Sequence, residues 1–280
     1  MDLTFALCTD LHFGPEALYQ GKLRKLSAHA GSLLGDFVDR MNREIEPAFI
    51  VNLGDDIEDE SPEADRVRYG ECMDILGRAK ADLIHVAGNH DTVHLSEEDL
   101  LGLWNARRRE QPMVTRLFRS FDRQGLHFVA LHTRELKDRS VTVGDEQLAW
   151  LADDLSLSRL PTVIFMHHSA ADQSLVGNRW FEGRANICLV QERKALRSIL
   201  EGATLEGARK VLAVFNGHLH WNHLDLIGGI PYVTLQSLIE NLNEDAPGRP
   251  AAAHAVVRIS RSRVVVEVEG AERARYQFDR

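Results

Sequence analysis

FIVNLGD, residues 49–55, is an apolar run that stops at Gly54-Asp55, and the same form recurs four more times. The others are FALCTDLH (5–12), LIHVAGNH (83–90), TVIFMHH (162–168) and VLAVFNGHLH (211–220). A short apolar strand feeding a polar tip is how an α/β sheet builds a site at the carboxyl edge of its strands. The tips supply Asp10, His12, Asp55, Asn89, His167, His218 and His220. One such tip is an ordinary loop. Five of them, each ending in Asp, Asn or His, point to a shared site.

Between these runs the period changes. Over residues 19–46 the apolar positions Leu23, Leu26, Ala30, Leu33, Leu34, Phe37, Val38, Met41 and Ile45 lie three or four apart, which predicts an amphipathic helix. Ser61-Pro62, a cap followed by proline, opens a second helix expected over 62–79. Further helices are expected at 96–104, 145–156 and 190–201, and strands at 3–8, 49–53, 82–87, 126–132, 162–166 and 211–215. Strands alternating with helices predict an α/β sheet with helical cover. After Gly217 the segments 223–227, 231–235, 254–259 and 263–268 read as antiparallel strands completing a second sheet. Residues 241–250 are a polar loop with β-type pattern resuming behind them, so a single domain over 1–280 is expected.

The chain has 280 residues, 44% of them hydrophobic and 27% charged, enough for a sizeable core. A net charge of −9 speaks against sequence-independent binding to nucleic acid, which needs many cations facing phosphates. It does not oppose a small phosphorylated substrate, since bound cations can dominate the local field. Cys8, Cys72 and Cys188 are scattered, and neither a signal-peptide core nor a membrane-length apolar run is present. A reduced, cytoplasmic protein with no membrane partner is the expectation. The C-terminal strands leave room for a homo-oligomer.

In extended backbone, residues i and i+2 face one side, so Asp10-x-His12 and His218-x-His220 are each expected to aim two ligands at one spot. Seven ligands exceed the needs of one transition metal. Seven with one shared carboxylate supply the eight bonds of a binuclear centre. Imidazoles with two carboxylates and an amide suit Mn, Fe, Zn or Co better than Mg or Ca. Two divalent or mixed-valence transition-metal ions (Mn, Fe or Zn) are therefore the expected cofactor.

In this order the motifs Asp10-x-His12, Gly54-Asp55, Gly88-Asn89-His90-Asp91, His167-His168 and Gly217-His218-x-His220 resemble the calcineurin-like metallophosphoesterase superfamily. Within it the chain is most similar to the bacterial class III cyclic nucleotide phosphodiesterases and the glycerophosphodiesterases. The resemblance implies a four-layer αββα sandwich of two mixed β-sheets flanked by helices. It implies one metal on Asp10, His12 and His220, the other on Asn89, His167 and His218, and Asp55 between them. His90 would be the general acid, with Asp91 either orienting it or capping the next turn. One departure is plain: Ser169-Ala170 follows His168 where relatives commonly have two prolines, so the loop after that ligand should run differently.

Other residues are read more simply. His168 would support its neighbour or touch substrate. Residues 172–186 mix polar and aromatic side chains directly after a ligand, so they should line the mouth of the site. There Trp180 or Phe181 could stack a base, and Arg179 or Arg184 could meet phosphate. Asp56 is either a hydrogen-bond partner for a ligating imidazole or a solvated loop carboxylate. His85 and His132 read as core residues, and Arg107-Arg108-Arg109 as a solvated helical face.

The expected activity is hydrolysis of a small phosphodiester, of cyclic nucleotide or glycerophosphodiester type. A metal-bound hydroxide would attack phosphorus while His90 protonates the departing oxygen. A phosphomonoesterase acting on a small phosphorylated metabolite is the nearest alternative. A nuclease would need a basic track that the charge does not offer. A binding module that had lost catalysis should have lost ligands, and all seven positions are filled.

Overall fold

Along Leu3–Cys8 the side chains of Leu3, Phe5 and Leu7 enter one core while Ala6 and Cys8 enter another. The same period of two separates Phe128 and Ala130 from Val129, Val163 and Phe165 from Ile164, and Ala213 and Phe215 from Val214. Strands buried on both faces read as unbroken apolar runs, which is why the alternation is hidden in the sequence. In the computed structural model, which describes residues 2–106 and 113–280, these strands belong to two six-stranded sheets packed face to face.

The sheet strands are β1 (Leu3–Cys8), β2 (Phe49–Asn52), β3 (Asp82–His85), β4 (Arg119–Arg123), β5 (Leu126–Ala130), β6 (Thr162–Phe165), β7 (Val211–Asn216), β8 (His223–Ile227), β9 (Ile230–Thr234), β10 (His254–Ile259), β11 (Arg263–Glu269) and β12 (Ala274–Asp279). One sheet has the order β12-β11-β10-β1-β2-β3 and the other β8-β9-β7-β6-β5-β4. The parallel centres are β1-β2-β3 and β5-β6-β7-β9, and the remaining pairs are antiparallel. Between the sheets lies one aromatic and aliphatic core. The helices α1 (Ala30–Arg40), α2 (Pro62–Leu76) and α3 (Glu97–Ala106) pack on the first sheet. The helices α4 (Asp145–Leu157) and α5 (Arg193–Gly202) pack on the second. This is the expected αββα sandwich.

Three expectations need correction. The helix expected from residue 19 starts only at Ser27, because Gln20 and Gly21 turn with positive φ and Lys25 pairs in a β-bridge with Glu240. Its apolar spacing at Leu23 and Leu26 reflects burial of an irregular segment. The C-terminal strands do not complete one sheet: β8 and β9 extend the second, whereas β10 to β12 join β1 in the first. Two strands, β4 and β12, escape the sequence reading. β4 is a mostly polar edge strand whose one apolar residue, Phe121, packs on the inter-sheet core, so no apolar run announces it. The basic run Arg107–Arg109 lies outside the described residues. No helix among the described residues is long and apolar enough to cross a membrane.

Phe5 marks the centre of the inter-sheet core. Its ring stacks on Phe49 at 5.1 Å and meets Phe165, Phe215 and Phe128 edge-on at 5.6, 5.9 and 6.0 Å. Phe5→Ala should therefore lower unfolding free energy by about 3–5 kcal/mol, read from chemical denaturation. A loss under about 1 kcal/mol would mean that the two sheets do not share this core.

Candidate metal centre

β1, β2 and β3 of one sheet and β6 and β7 of the other all run out toward the same edge, and each polar tip follows one of them. The tips are tied to each other by backbone. Asp10 N–H donates to Gly54 C=O at 2.9 Å, Leu11 and His12 N–H to Asp55 C=O at 2.8 and 3.0 Å, and Gly217 N–H to His167 C=O at 3.0 Å. The loops approach so closely that a Cβ on Gly88 would strike Asp55, and one on Gly217 would strike Thr9 and Asp10.

The backbone at the site is not extended. Asp10, His12, Asp55, His218 and His220 have φ of 53°, 44°, 57°, 65° and 48°, the left-handed region that non-glycine residues rarely adopt. Each costs on the order of 1–3 kcal/mol, so the surroundings must hold it in place. The i, i+2 reasoning consequently fails for His218 and His220, which diverge into different groups. Asp10 and His12 do converge, through left-handed turns.

The first group is Asp10, His12 and His220, all buried, with ligand atoms within 4.8 Å of one another. Thr9 O–H and His218 N–H donate to Asp10 Oδ2 at 2.7 and 3.0 Å. Oδ1, which shares the His218 N–H at 3.2 Å, faces His220 Nε2 at 3.3 Å and His12 Nε2 at 3.9 Å. The two Nε2 atoms lie 3.1 Å apart, so they face one point. Each ring is turned that way by a carboxylate on its other nitrogen: Glu58 Oε2 is 3.0 Å from His12 Nδ1, and Glu240 Oε2 is 2.8 Å from His220 Nδ1.

The second group contains His167 and His218. His167 Nδ1–H donates to Leu53 C=O at 2.8 Å, which turns Nε2 toward Asp55. His218 lies 5.1 Å from His167, ring to ring, and Phe181 stacks on it at 4.6 Å. Asn89 sits on the turn between Gly88 and His90. His90 N–H donates to Asp55 Oδ1 at 3.0 Å. Asp55 Oδ2 then stands 3.3 Å from His167 Nε2 and 3.9 Å from His12 Nε2, facing both groups.

These donors fit metal ions. His167 Nε2, His218 Nε2 and Asn89 Oδ1 are buried and have no hydrogen-bond partner. Orphaned polar atoms of this kind cost about 1–3 kcal/mol each, and His167 and His218 bring theirs into one group, as a ligand site requires. Electrostatics agrees. Burial opposes a negative Asp55, yet the imidazoles of His167 and His90 hold its carboxyl well below the ordinary value. Burial likewise opposes charge on His167 and His220, but Asp55 and Asp10 push their pKa values up to about 9. The carboxylates draw cations to this point. Burial drives His218 well below the ordinary range, leaving a neutral imidazole. In a further group, His12, Glu58 and His90, a cation is already present: Lys25 Nζ lies 2.6 Å from Glu58 and 3.3 Å from His12.

His90 stands at the rim, half-buried, with its ring 5.0 Å from His12. Asp59 accepts from its Nδ1 at 2.5 Å, so Asp59, and not Asp91, orients it. Asp91 is buried beneath the loops and accepts from the N–H groups of Asp55, Asp56 and Gly88 at 2.9, 2.8 and 2.8 Å. Asp56 makes no contact with a ligating imidazole; it is buried against Asn52 and Cys72.

The substrate-side expectations change more. His168 is fully buried, its Nδ1 2.7 Å from Thr133 Oγ1, its ring 4.1 Å from His218 and its Nε2 unpartnered. It joins His167 and His218 in one group. Trp180 donates its indole N–H to Glu240 and packs on Tyr19 and His220 at 5.1 and 5.3 Å, with Arg24 and Lys25 over its ring. It braces the site and is not an open stacking platform. Arg179 is bound to Glu240, Glu244 and Asn241 C=O. Arg184 is exposed on the loop, three residues beyond Phe181. His85 stacks on Trp104 as a core residue at 5.4 Å, whereas His132 is half-buried with an unpartnered Nδ1.

Sequence reasoning missed Glu58, Asp59, Glu240 and Lys25. Glu240 carried a signal, since it closes a further apolar run, VTLQSLIE, in the manner of the other five. Glu58 and Asp59 are two of several acids in DDIEDE, and nothing local separates them from their neighbours.

A family model described as calcineurin-like phosphoesterase matches residues 3–222. A cAMP/cGMP dual specificity phosphodiesterase from Mycobacterium tuberculosis is 27% identical over 224 residues, 79% of this chain and 64% of that protein. The chain thus spans just under two thirds of the length of that curated relative. A dimetal phosphatase structure from Danio rerio superposes with a TM-score of 0.72 at 21% identity, covering 98% of each chain. The phosphopantetheinyl hydrolase of Mycobacterium tuberculosis gives a TM-score of 0.52 at 14% identity, over 84% of this chain and 90% of that one. Both structures share the fold.

Asp91→Ala would strand three buried N–H donors. It should destabilise the protein by about 3 kcal/mol or more, measured by denaturant titration. An unchanged midpoint would show that Asp91 does not pin these loops.

Proposed function

The chain belongs to the calcineurin-like phosphoesterase family, and we propose that it hydrolyses a small phosphodiester, of cyclic nucleotide or glycerophosphodiester type, at two transition-metal ions. Asp10, His12 and His220 would hold one ion and Asn89, His167 and His218 the other, with Asp55 between them. Mn, Fe or Zn suits this donor set. When bound, such ions supply Lewis-acid polarisation of the phosphoryl group and activation of water. The substrate would be a small phosphoester. The three buried, unpaired cysteines suit a reducing compartment such as the cytoplasm.

One observation carries the hydrolytic reading, an imidazole held by a carboxylate at the rim of the cluster, His90 on Asp59; the choice of a diester follows the curated relative. Alkoxides are poor leaving groups, so cleaving a P–O–C link needs a proton delivered at the departing oxygen. Burial and Lys25 oppose charge on His90, but Asp55 and Asp59 outweigh them and raise its pKa above the ordinary value. That favours the protonated ring which a general acid needs. Its backbone N–H on Asp55 and its Nδ1 on Asp59 leave Nε2 as the atom that gives the proton up. The curated relative's action on cyclic nucleotides supports the same class. Arg184, exposed on the loop that carries Phe181, would meet the substrate's outer part.

Two assays test this. Metal-loaded protein should prefer bis-p-nitrophenyl phosphate to p-nitrophenyl phosphate, and a wide preference for the monoester would overturn the diester reading. His90→Ala should cost about 10²- to 10⁴-fold in kcat on an alkyl diester and much less on a p-nitrophenyl ester, whose leaving group needs little protonation. Equal losses on both would remove the general-acid role.

The Asp59 contact predicts a pH effect with a definite sign. A general acid works in its protonated form, so activity falls as pH rises through the pKa of His90. Asp59→Asn removes a carboxylate that raises that pKa, so the alkaline limb of the kcat profile should move to lower pH. A profile that stays in place would show that Asp59 does not tune His90.

A further inference from the structure

The two ligand groups are backed by different chemistry. In the first, both imidazoles rest on carboxylates. Glu240 is fully buried behind His220, clamped by Trp180 Nε1–H at 3.1 Å and Arg179 Nη1 at 3.0 Å. Glu58 stands behind His12, held by Lys25 Nζ at 2.6 Å and by the Tyr19 hydroxyl. The group also has a carboxylate of its own in Asp10.

In the second group His167 rests on a neutral carbonyl, that of Leu53. His218 is flanked by the rings of His167, His168 and Phe181, and no ion pair to it exists among the described residues. Asn89 adds a neutral amide, and the negative charge here comes from Asp55 and, beside His167, from Asp10, with no carboxylate behind either imidazole among the described residues.

A carboxylate that accepts an imidazole N–H makes the other nitrogen a stronger donor and fixes its direction; loss of such a partner typically lowers metal affinity 10- to 100-fold. A carbonyl fixes the direction but adds no charge. We propose that the protein loads its two ions in order, first and more tightly at Asp10, His12 and His220, and that Glu240 and Glu58 are the positioning residues that set this order. The proposal rests on the two-ion reading above.

Calorimetric titration of chelator-stripped protein with MnCl2 tests it. Two steps at least tenfold apart in Kd are expected. Glu240→Gln keeps an oxygen acceptor for His220 Nδ1–H but removes the charge; it should weaken the tight step about 10- to 100-fold and leave the weak step nearly unmoved. Glu58→Gln should act the same way, which keeps the test usable if one variant folds poorly. A merely structural role would move both steps together, and that result would overturn the assignment. Two equal sites in the unmutated protein would overturn the ordering while leaving two ions in place. Absence of any Mn²⁺ binding would remove the two-ion reading and the ordering with it.

Discussion

Asp10 and Asp55 lie buried close together under a ring of imidazoles, and the rest of the structure answers to that constraint. Isolated carboxylates in a dry interior are costly, and two near each other more so. The fold meets the cost in layers. Backbone and hydroxyl donors satisfy one oxygen of each carboxyl, from Thr9 and His218 at Asp10 and from His90 at Asp55. The other oxygen of each is left facing imidazoles. Asp91, below, gathers three N–H groups and locks the two loops that carry Asp55 and Asn89. Left-handed backbone at five of the seven ligand positions is held by these contacts and by sheets on either side. Such pre-set geometry is the usual condition for a site that must bind a multiply charged species without rearranging.

Much of this was legible because strand tips are local. Each apolar run ends where its strand ends, so the sequence marks which side chains reach the carboxyl edge, and the layering follows from strands alternating with helices. What escaped was non-local. Glu240 reaches His220, and Glu58 reaches His12, across turns whose course no periodicity encodes. Asp59 and not Asp91 meets His90 because the loop after Asp55 folds back over the rim, whereas Asp91 turns inward. Trp180 and Arg179 look like a binding surface on a polar loop, yet both are drawn inward by the buried charge of Glu240. The i, i+2 rule led to the right pairing at Asp10 and His12 for the wrong reason and to the wrong one at His218 and His220, because it presumes extended backbone.

The surroundings also sort the residues by task. Those at the base hold position: Asp91, Glu58, Glu240, Lys25 and Trp180 touch ligands or loops and are largely hidden. At the rim His90 stands half-buried with Asp59 on its Nδ1. Without an ion the uneven share of carboxylates pushes His167 and His220 up and leaves His218 neutral; a metal takes the place of those protons. Function thus follows from an uneven field imposed on similar side chains.

Anomalous diffraction from crystals grown with Mn²⁺, recorded across the manganese edge, would locate the ions. Two peaks are expected, one among Asp10, His12 and His220 and one among Asn89, His167 and His218, with Asp55 reaching both. A single peak, or manganese bound elsewhere while these side chains stay empty-handed, would contradict the two-ion centre.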